Sequence, residues 1–203
     1  MKGNKRLKYF TVIVFFSTVM SFSFLGCAYH AYLTDVNPEM PEVAIHDKLP
    51  LKAALYIPDS TRNYTQPTDV SHGCLSMHVI GNFGQIFAGT VEGTLKKAFK
   101  ELTVVSQPSI GNNDILIEAD MTEYIYKAGC VANPRSFGTV KGNIRASDRN
   151  GREIWRSGET SKTLKFSSSW QEFVPECMAS LVGVWTQELI SQPQIRQLRK
   201  RTP

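Results

Sequence analysis

Between residues 84 and 102, apolar residues recur at steps of three and four, which is the spacing of one face of an α-helix. Three glycines, Gly84, Gly89 and Gly93, interrupt this pattern. A glycine inside a helix costs roughly 1 kcal/mol relative to alanine. We therefore expect these glycines to permit close packing of the helix against a sheet. Simple tolerance of the glycines is an alternative. A conformational hinge is a third, and it has no independent support in the sequence.

A second helical pattern begins near residue 170 and places Trp, Phe, Val and Leu side chains on one face. Ser169 and Glu172 have the spacing of a capping box, and Pro193 ends the pattern. Pro175 conflicts with this start, because a proline beyond the first turn removes a backbone donor and clashes with the preceding turn. The helix should therefore be kinked at Pro175 or begin close to it.

The remaining apolar pattern is typical of strands. The run over 51–57 predicts a short buried strand, and the alternation over 115–122 predicts a long strand with one face in water. Asn150-Gly151 is a strong signal for a β-hairpin between the flanking strands. Further short strands are expected near residues 75–80, 103–106, 140–146, 154–155 and 163–166.

The order of these elements indicates the fold class. Two strands are followed by a helix, a meander of strands and a final helix, which predicts an α+β fold. We expect a mostly antiparallel sheet with the two amphipathic helices packed on one face, in a single domain over residues 50–192. An open sheet edge is also expected in such a fold.

The start of the chain has the plan of an export signal. A basic head precedes a charge-free apolar stretch of 17 residues. At its end, Phe24-Leu25-Gly26-Cys27 resembles the lipobox of bacterial lipoproteins, in which a peptidase cleaves before an invariant, lipid-bearing Cys. The resemblance implies a signal peptide over residues 1–26 and lipidation of Cys27. An uncleaved signal anchor is the alternative, because the stretch is almost long enough to span a bilayer.

The resemblance also implies a cellular location. Ala28 rather than Asp follows Cys27, which by the sorting rules of enterobacteria implies the outer membrane, with the domain facing the periplasm. Several acyl chains on one Cys hold a protein to a membrane firmly. Loss of the four basic residues of the signal lowers the formal net charge from +5 to about +1, so the basic composition does not favour nucleic acid as a partner.

Two segments flank the predicted domain. Residues 27–49 lack a period and contain Pro38 and Pro41, so they are expected to form the lipidated N-terminus and an extended tether. Residues 193–203 form a basic C-terminal tail, which is either solvated or in contact with anionic lipid or an acidic partner.

Three cysteines besides Cys27 are expected to meet an oxidising compartment. Cys177 lies in an apolar helical pattern and is predicted to be a buried free thiol. Cys74 and Cys130 are then the candidates for a disulfide. A metal site formed by Cys74 with His72 and His78 is a weaker alternative, because zinc sites usually show tighter paired motifs. We predict no bound metal.

The sequence offers little for catalysis. It lacks the G-x-S-x-G elbow of serine hydrolases and the glycine-rich loops that bind nucleotides. Glu118 and Asp120 would lie on the same wet strand face, where such charges usually only contact solvent. We therefore predict that the protein is not an enzyme and that it uses no cofactor.

The predicted architecture, the lipobox-like Cys27 and the hairpin Asp148–Trp155 together resemble small outer-membrane lipoproteins of the LptE and YajG types and the accessory lipoproteins of polysaccharide secretion. The resemblance implies a non-catalytic role in docking or assembly beside an envelope protein complex. The alternative function is a binding module for a small or lipidic ligand, held between the sheet and the helices.

Overall fold

The computed structural model describes residues 29–33, 36–45, 47–67, 69–72, 77–128, 136–165 and 169–198. The predicted signal peptide, Cys27, Cys74, Cys130 and residues 199–203 of the basic tail lie outside the described residues. The elements in chain order are β1 (Tyr29–Leu33), β2 (Leu49–Tyr56), α1 (Asp59–Arg62), β3 (Asp69–His72), β4 (Met77–Gly81), α2 (Phe83–Ala98), β5 (Phe99–Val105), β6 (Ile115–Ala128), β7 (Phe137–Asp148), β8 (Glu153–Arg156), β9 (Thr160–Lys165), α3 (Trp170–Ser191) and α4 (Pro193–Leu198).

The predicted α+β class is confirmed, but the sheet is mixed rather than mostly antiparallel. Its central path runs β5-β2-β6-β7-β8, with β3 beside β6 and β9 beside β7. β2 pairs in parallel with both β5 and β6, and β3 also pairs in parallel with β6. The pairs of β7 are antiparallel. For the pair of β2 and β5, the connection includes α2, and a helical crossover returns the chain to the same end of the sheet and so favours a parallel pair.

Both long helices pack on one face of this sheet, as predicted. Residues that alternate along the strands point to that side, among them Leu55, Ile117 and Ile144, and all three are almost completely buried. Trp185 of α3 contacts this face where Gly142 leaves room for it, and its ring packs edge-on against Phe87 of α2 at 6.0 Å. The helices and the sheet thus share one apolar core.

Helix α3, the second of the two predicted helices, begins at Trp170 and continues through Pro175, so the proline does not mark its start. Ser169 occupies the N-cap position as the capping box requires, but its side chain makes no cap hydrogen bond. The backbone N–H groups of Glu172 and Phe173 instead donate to the Ser169 carbonyl at 3.2 and 2.9 Å.

Residues 36–45, here called the strap, cross the outside of the two helices. A Cβ added at Gly89 of α2 would lie 2.4 Å from Cγ of Pro38, and one at Gly183 of α3 would lie 3.0 Å from Cβ of Pro41. Val36 and Ile45 pack against the apolar core from the two ends of the strap. The strap is therefore docked rather than free, since helix glycines leave room for its side chains.

The helix glycines do permit close packing, but not against the sheet as expected. Gly89 and Gly93 lie beneath Pro38 and Met40 of the strap. Gly84 lies against the backbone of α1, where an added Cβ would be 1.9 Å from the carbonyl oxygen of Thr61. The apolar stripe of α2 already occupies the sheet side, so the glycines serve the opposite contacts.

β1 and β4 form a separate parallel ribbon of two strands. The ribbon is attached to the domain through Leu33 and Val79, which are 2% and 3% exposed and belong to the core. The Leu33 carbonyl also accepts a hydrogen bond of 3.1 Å from Asn82 N–H at the start of α2. This strand at Tyr29–Leu33 lies inside the segment predicted to be a free tether.

Candidate docking surface

The helix-free face of the sheet is polar and is crossed by ion pairs. Glu118 of β6 and Arg145 of β7 are directly opposite in register. Arg145 donates from Nε and Nη2 to the two carboxylate oxygens of Glu118, at 2.6 and 2.9 Å. Such bidentate pairs are stronger than single contacts. Hydrogen bonding to Glu118 raises the pKa of Arg145.

Further pairs extend this pattern on the same face. Lys141 Nζ lies 2.5 Å from Glu123, and this hydrogen bond raises the pKa of the lysine. Lys52 of β2 reaches Glu101 of β5 at 3.1 Å. Exposed pairs of this kind contribute little to stability, because water screens the charges. The ion pairs make this face of the sheet hydrophilic, but they add little to the stability of the protein.

A shallow pocket of about 150 Å³ opens on this face. Its lining includes Tyr56, Asn143 and Arg156 together with Glu118 and Asp120. Pockets that bury drug-sized ligands usually measure about 300 to 1,000 Å³. The pocket therefore accommodates only a small polar group.

Glu118 and Asp120 share this face, as the alternation along β6 predicted. Each carboxylate accepts a hydrogen bond from a neighbour, Glu118 from Arg145 and Asp120 from the hydroxyl of Thr61. These hydrogen bonds give both carboxylates a structural role, so their presence on this face does not by itself indicate catalysis.

The predicted hairpin is present between β7 and β8. Gly151 has a φ of +74°, which suits glycine, and the side chain of Asp148 accepts hydrogen bonds from the backbone N–H groups of Asn150 and Arg152 at 2.9 and 3.0 Å. A polar pocket of about 350 Å³ lies between this hairpin and α4 and is lined in part by Gln194. Its side chains are mostly polar, so it is a wet surface cleft.

The interior between sheet and helices is filled by side chains. Tyr124, Phe173 and Trp185 are each 0% exposed there. Cys177 is buried among them as a free thiol, as predicted, and burial raises its pKa to about 12. A ligand between the sheet and the helices would have to displace core side chains. This observation weighs against the alternative function, in which a ligand binds in that layer.

The edge strand β5 is the open part of the sheet. Within the described residues β5 pairs on one side only, with β2. On the helix side of β5, Leu102 packs against the core, whereas Val104 is 39% exposed. On the other side Glu101 and Thr103 are exposed. The sequence pattern predicts an open edge but does not indicate which strand forms it.

The other predicted site residues are only partly placed. His72 belongs to β3 and His78 belongs to β4. The Cys74–Cys130 disulfide stays a prediction, because both cysteines lie outside the described residues. No cluster of His, Cys, Asp or Glu suited to a metal ion occurs within the described ranges. In the same part of the chain, no helix combines the length and apolar character needed to cross a membrane.

No family model and no curated protein matches this sequence. Among solved structures, protein XCC0632 from Xanthomonas campestris, of the DUF330 family, aligns over 85% of this chain and 99% of its own, with 11% identity and a TM-score of 0.55. This chain has the same fold. At that identity the likeness extends to the fold alone, and membership of the LptE and YajG types stays a prediction.

Two further structures are less similar. PelC from Paraburkholderia phytofirmans, solved as a dodecamer, covers 72% of this chain and 90% of its own, with 13% identity and a TM-score of 0.40. Lipoprotein GNA1162 from Neisseria meningitidis covers 69% of this chain and 96% of its own, with 17% identity and a TM-score of 0.34. Scores this low support no conclusion about this protein.

Proposed function

We propose that this protein is a non-catalytic envelope lipoprotein, anchored through Cys27 to the outer membrane and facing the periplasm, that docks or assembles an envelope protein complex. The lipobox-like Phe24-Leu25-Gly26-Cys27 supports the anchor. The closed interior and the partnered carboxylates of the sheet favour a docking role over a ligand pocket or an active site.

The observation that carries the docking role is the open edge at β5. An edge strand presents backbone N–H and C=O groups that can pair with an added strand from another chain. β5 is seven residues long, and the opposite edge has only β8, of four residues, and β9, of six. The exposed Val104 adds an apolar contact beside the backbone groups of β5. A partner strand would therefore find its longest template at this edge.

The charges on β5 restrict which strands can pair there. Lys100 and Glu101 are both exposed, and charged side chains on an edge are a common protection against unspecific pairing. Glu101 is already bound by Lys52 on the neighbouring strand. The edge should consequently accept a partner with complementary charge rather than any extended peptide.

Affinity purification of the full, tagged protein from membranes in mild detergent tests this function. We compare the wild type with Val104→Asp on β5 and with Ser161→Asp, the matched control on the exposed edge strand β9. The same envelope proteins should be retained by the wild type and by Ser161→Asp. They should be lost from Val104→Asp, because the carboxylate removes the apolar contact and the added strand would have to desolvate it.

Quantitative mass spectrometry identifies the retained proteins, and far-UV circular dichroism confirms that both variants are folded. Recovery of the bait alone from wild-type membranes would contradict a docking role. Equal retention by Val104→Asp and Ser161→Asp would exclude the β5 edge as the docking site.

A further inference from the structure

The parallel ribbon of β1 and β4 has two different faces. Its register pairs Ala31 with Val79, Tyr32 with Ile80 and Leu33 with Gly81. Since successive side chains of a strand point to opposite faces, Leu33 and Tyr32 lie on opposite sides of the ribbon. Leu33 and Val79 form the buried side. Tyr32 and Ile80 are therefore neighbours on the outer side.

That outer side is unusually apolar for a surface. Tyr32 is 64% exposed and Ile80 is 38% exposed. Among the side chains that the structure describes, three large apolar ones are this exposed, and two of them are this adjacent pair. Isolated apolar side chains on a surface are ordinary, but a paired concentration of them marks a surface that contacts something else.

The position of the ribbon in the chain indicates what it contacts. Tyr29, the first residue of β1, is only two residues after Cys27. An extended chain advances at most about 3.6 Å per residue, so the ribbon begins within roughly 7 Å of the Cys27 backbone. The strap then holds the chain that follows β1 against α2 and α3. The described residues therefore provide no long spacer between a lipid on Cys27 and the folded domain.

The chemistry of the pair fits the surface of a bilayer. The headgroup layer on each side of the hydrocarbon core is several ångströms thick, and tyrosine is enriched there because its ring is apolar and its hydroxyl stays hydrated. Ile80 beside Tyr32 supplies purely apolar area. A short link to acyl chains and an exposed Tyr–Ile pair thus act at the same interface.

We propose that the Tyr32–Ile80 face of the β1–β4 ribbon lies on the phospholipid surface that holds the Cys27 lipid. This inference rests on the proposed lipid anchor and deepens it. The domain then sits directly on the membrane in one orientation, rather than swinging on a tether. The hairpin at Asn150 lies at the other end of the sheet from the ribbon. β3, which lies beside β4, pairs with residues 125–128 of β6, whereas Ile115 at the opposite end of β6 pairs with Asp148.

Photocrosslinking of the full chain to lipid tests the proposal. Tyr32 is replaced by p-benzoylphenylalanine, which keeps an aromatic side chain in place, and the matched control carries the same residue at the exposed Asn150. Each protein is purified from membranes and reconstituted into vesicles of phosphatidylethanolamine and phosphatidylglycerol. Intact mass before irradiation reports the acyl chains on Cys27. We expect phospholipid adducts from position 32 and several-fold fewer from position 150.

The outcomes separate this inference from the anchor itself. If the protein carries acyl mass and binds vesicles, but position 32 yields no more phospholipid adduct than position 150, the ribbon faces away from the bilayer and the inference fails while the anchor stands. Adducts of position 32 to protein would overturn it in favour of a protein contact. If intact mass shows no acyl chains and Cys27→Ala binds vesicles equally well, both the anchor and the inference fail.

Discussion

Gly84 shows how one missing Cβ positions an element of this fold. Its neighbours are the backbone atoms of Thr61 and Arg62, and Gly84 N–H also donates to the Tyr64 carbonyl at 2.9 Å. Backbone cannot give way as a flexible side chain can. At Gly93 of the same helix an added Cβ would instead meet Sδ and Cε of Met40, the mobile end of a long side chain.

We therefore expect Gly84→Ala to be clearly destabilising and Gly93→Ala to have little effect on stability. Both gain helix propensity of roughly 1 kcal/mol. The overlap with the Thr61 carbonyl should outweigh this gain and lower the free energy of unfolding of Gly84→Ala by about 1 to 3 kcal/mol. Gly93→Ala should stay within about 1 kcal/mol of the wild type. Urea unfolding followed by circular dichroism measures both, and an unchanged or raised midpoint for Gly84→Ala would refute the backbone contact.

The glycines also show what could be predicted at the scale of a residue. Their placement in an apolar helical pattern was enough to predict close packing. The partner was not predictable, because Pro38 and Met40 belong to a segment without a period. Tyr32 was missed for the same reason, since residues 27–49 carried no pattern that indicates a strand. Ile80 lies in a strand expected near residues 75–80, but its pairing with β1 was not predictable.

At the scale of an element, the strap is the feature that distinguishes this domain from a freely tethered one. Pro38 lies on Gly89, and Thr94 of α2 places its hydroxyl 3.9 Å from Sδ of Met40. Glu39 is exposed between these contacts, and Glu42 is exposed after Pro41, which lies against Gly183. The strap should therefore resist cleavage although it contains two sites for a glutamate-specific protease.

Gly89→Leu should release the strap, because the new side chain would occupy the position of the Pro38 ring. We expect cleavage after Glu39 or Glu42 to become several-fold faster than in the wild type, while the helices and sheet persist. Lys97→Leu, at an exposed position of the same helix, is the control and should leave the rate unchanged. Limited proteolysis with mass spectrometry measures the rates. Rapid cleavage of the wild-type strap would show that it is not docked in solution.

Elements with a strong period were predictable, whereas their ends and pairings were less so. The period of three and four found α2, but the helix ends at Ala98 rather than near Leu102. Phe99 and Leu102 fit the helical spacing and yet belong to β5, because the strand follows the helix without a loop. Parallel pairing was missed because it depends on where the chain returns after α2, and spacing along one strand carries no information about that.

At the scale of the whole molecule, two neighbouring buried groups, the Cys177 thiol and the Tyr124 hydroxyl, make the stability of the fold depend on pH. Burial raises the pKa of the Cys177 thiol to about 12 and the pKa of the neighbouring Tyr124 hydroxyl well above its usual value of 10.0. Both groups are uncharged in the folded protein at neutral pH. In the unfolded chain they would release their protons near their ordinary values of 9.0 and 10.0.

This difference sets the sign of an alkaline transition. Above about pH 9 the folded state binds more protons than the unfolded state, so the free energy of unfolding falls as pH rises. The contribution of the pair is fully present below pH 9 and is lost as pH rises through the folded pKa values. Each group adds a slope of at most roughly 1.4 kcal/mol per pH unit. Urea unfolding of the wild type between pH 7 and 11 should show this decline.

Cys177→Ala isolates the contribution of the thiol. The variant should be less stable at pH 7, because a cavity replaces the buried sulfur, but its stability should fall less steeply than that of the wild type above pH 9. The two curves would then converge at high pH. Parallel curves would mean that Cys177 already ionises normally in the folded protein. In that case the layer between helices and sheet would be open to water, and the ligand-binding alternative would regain its place.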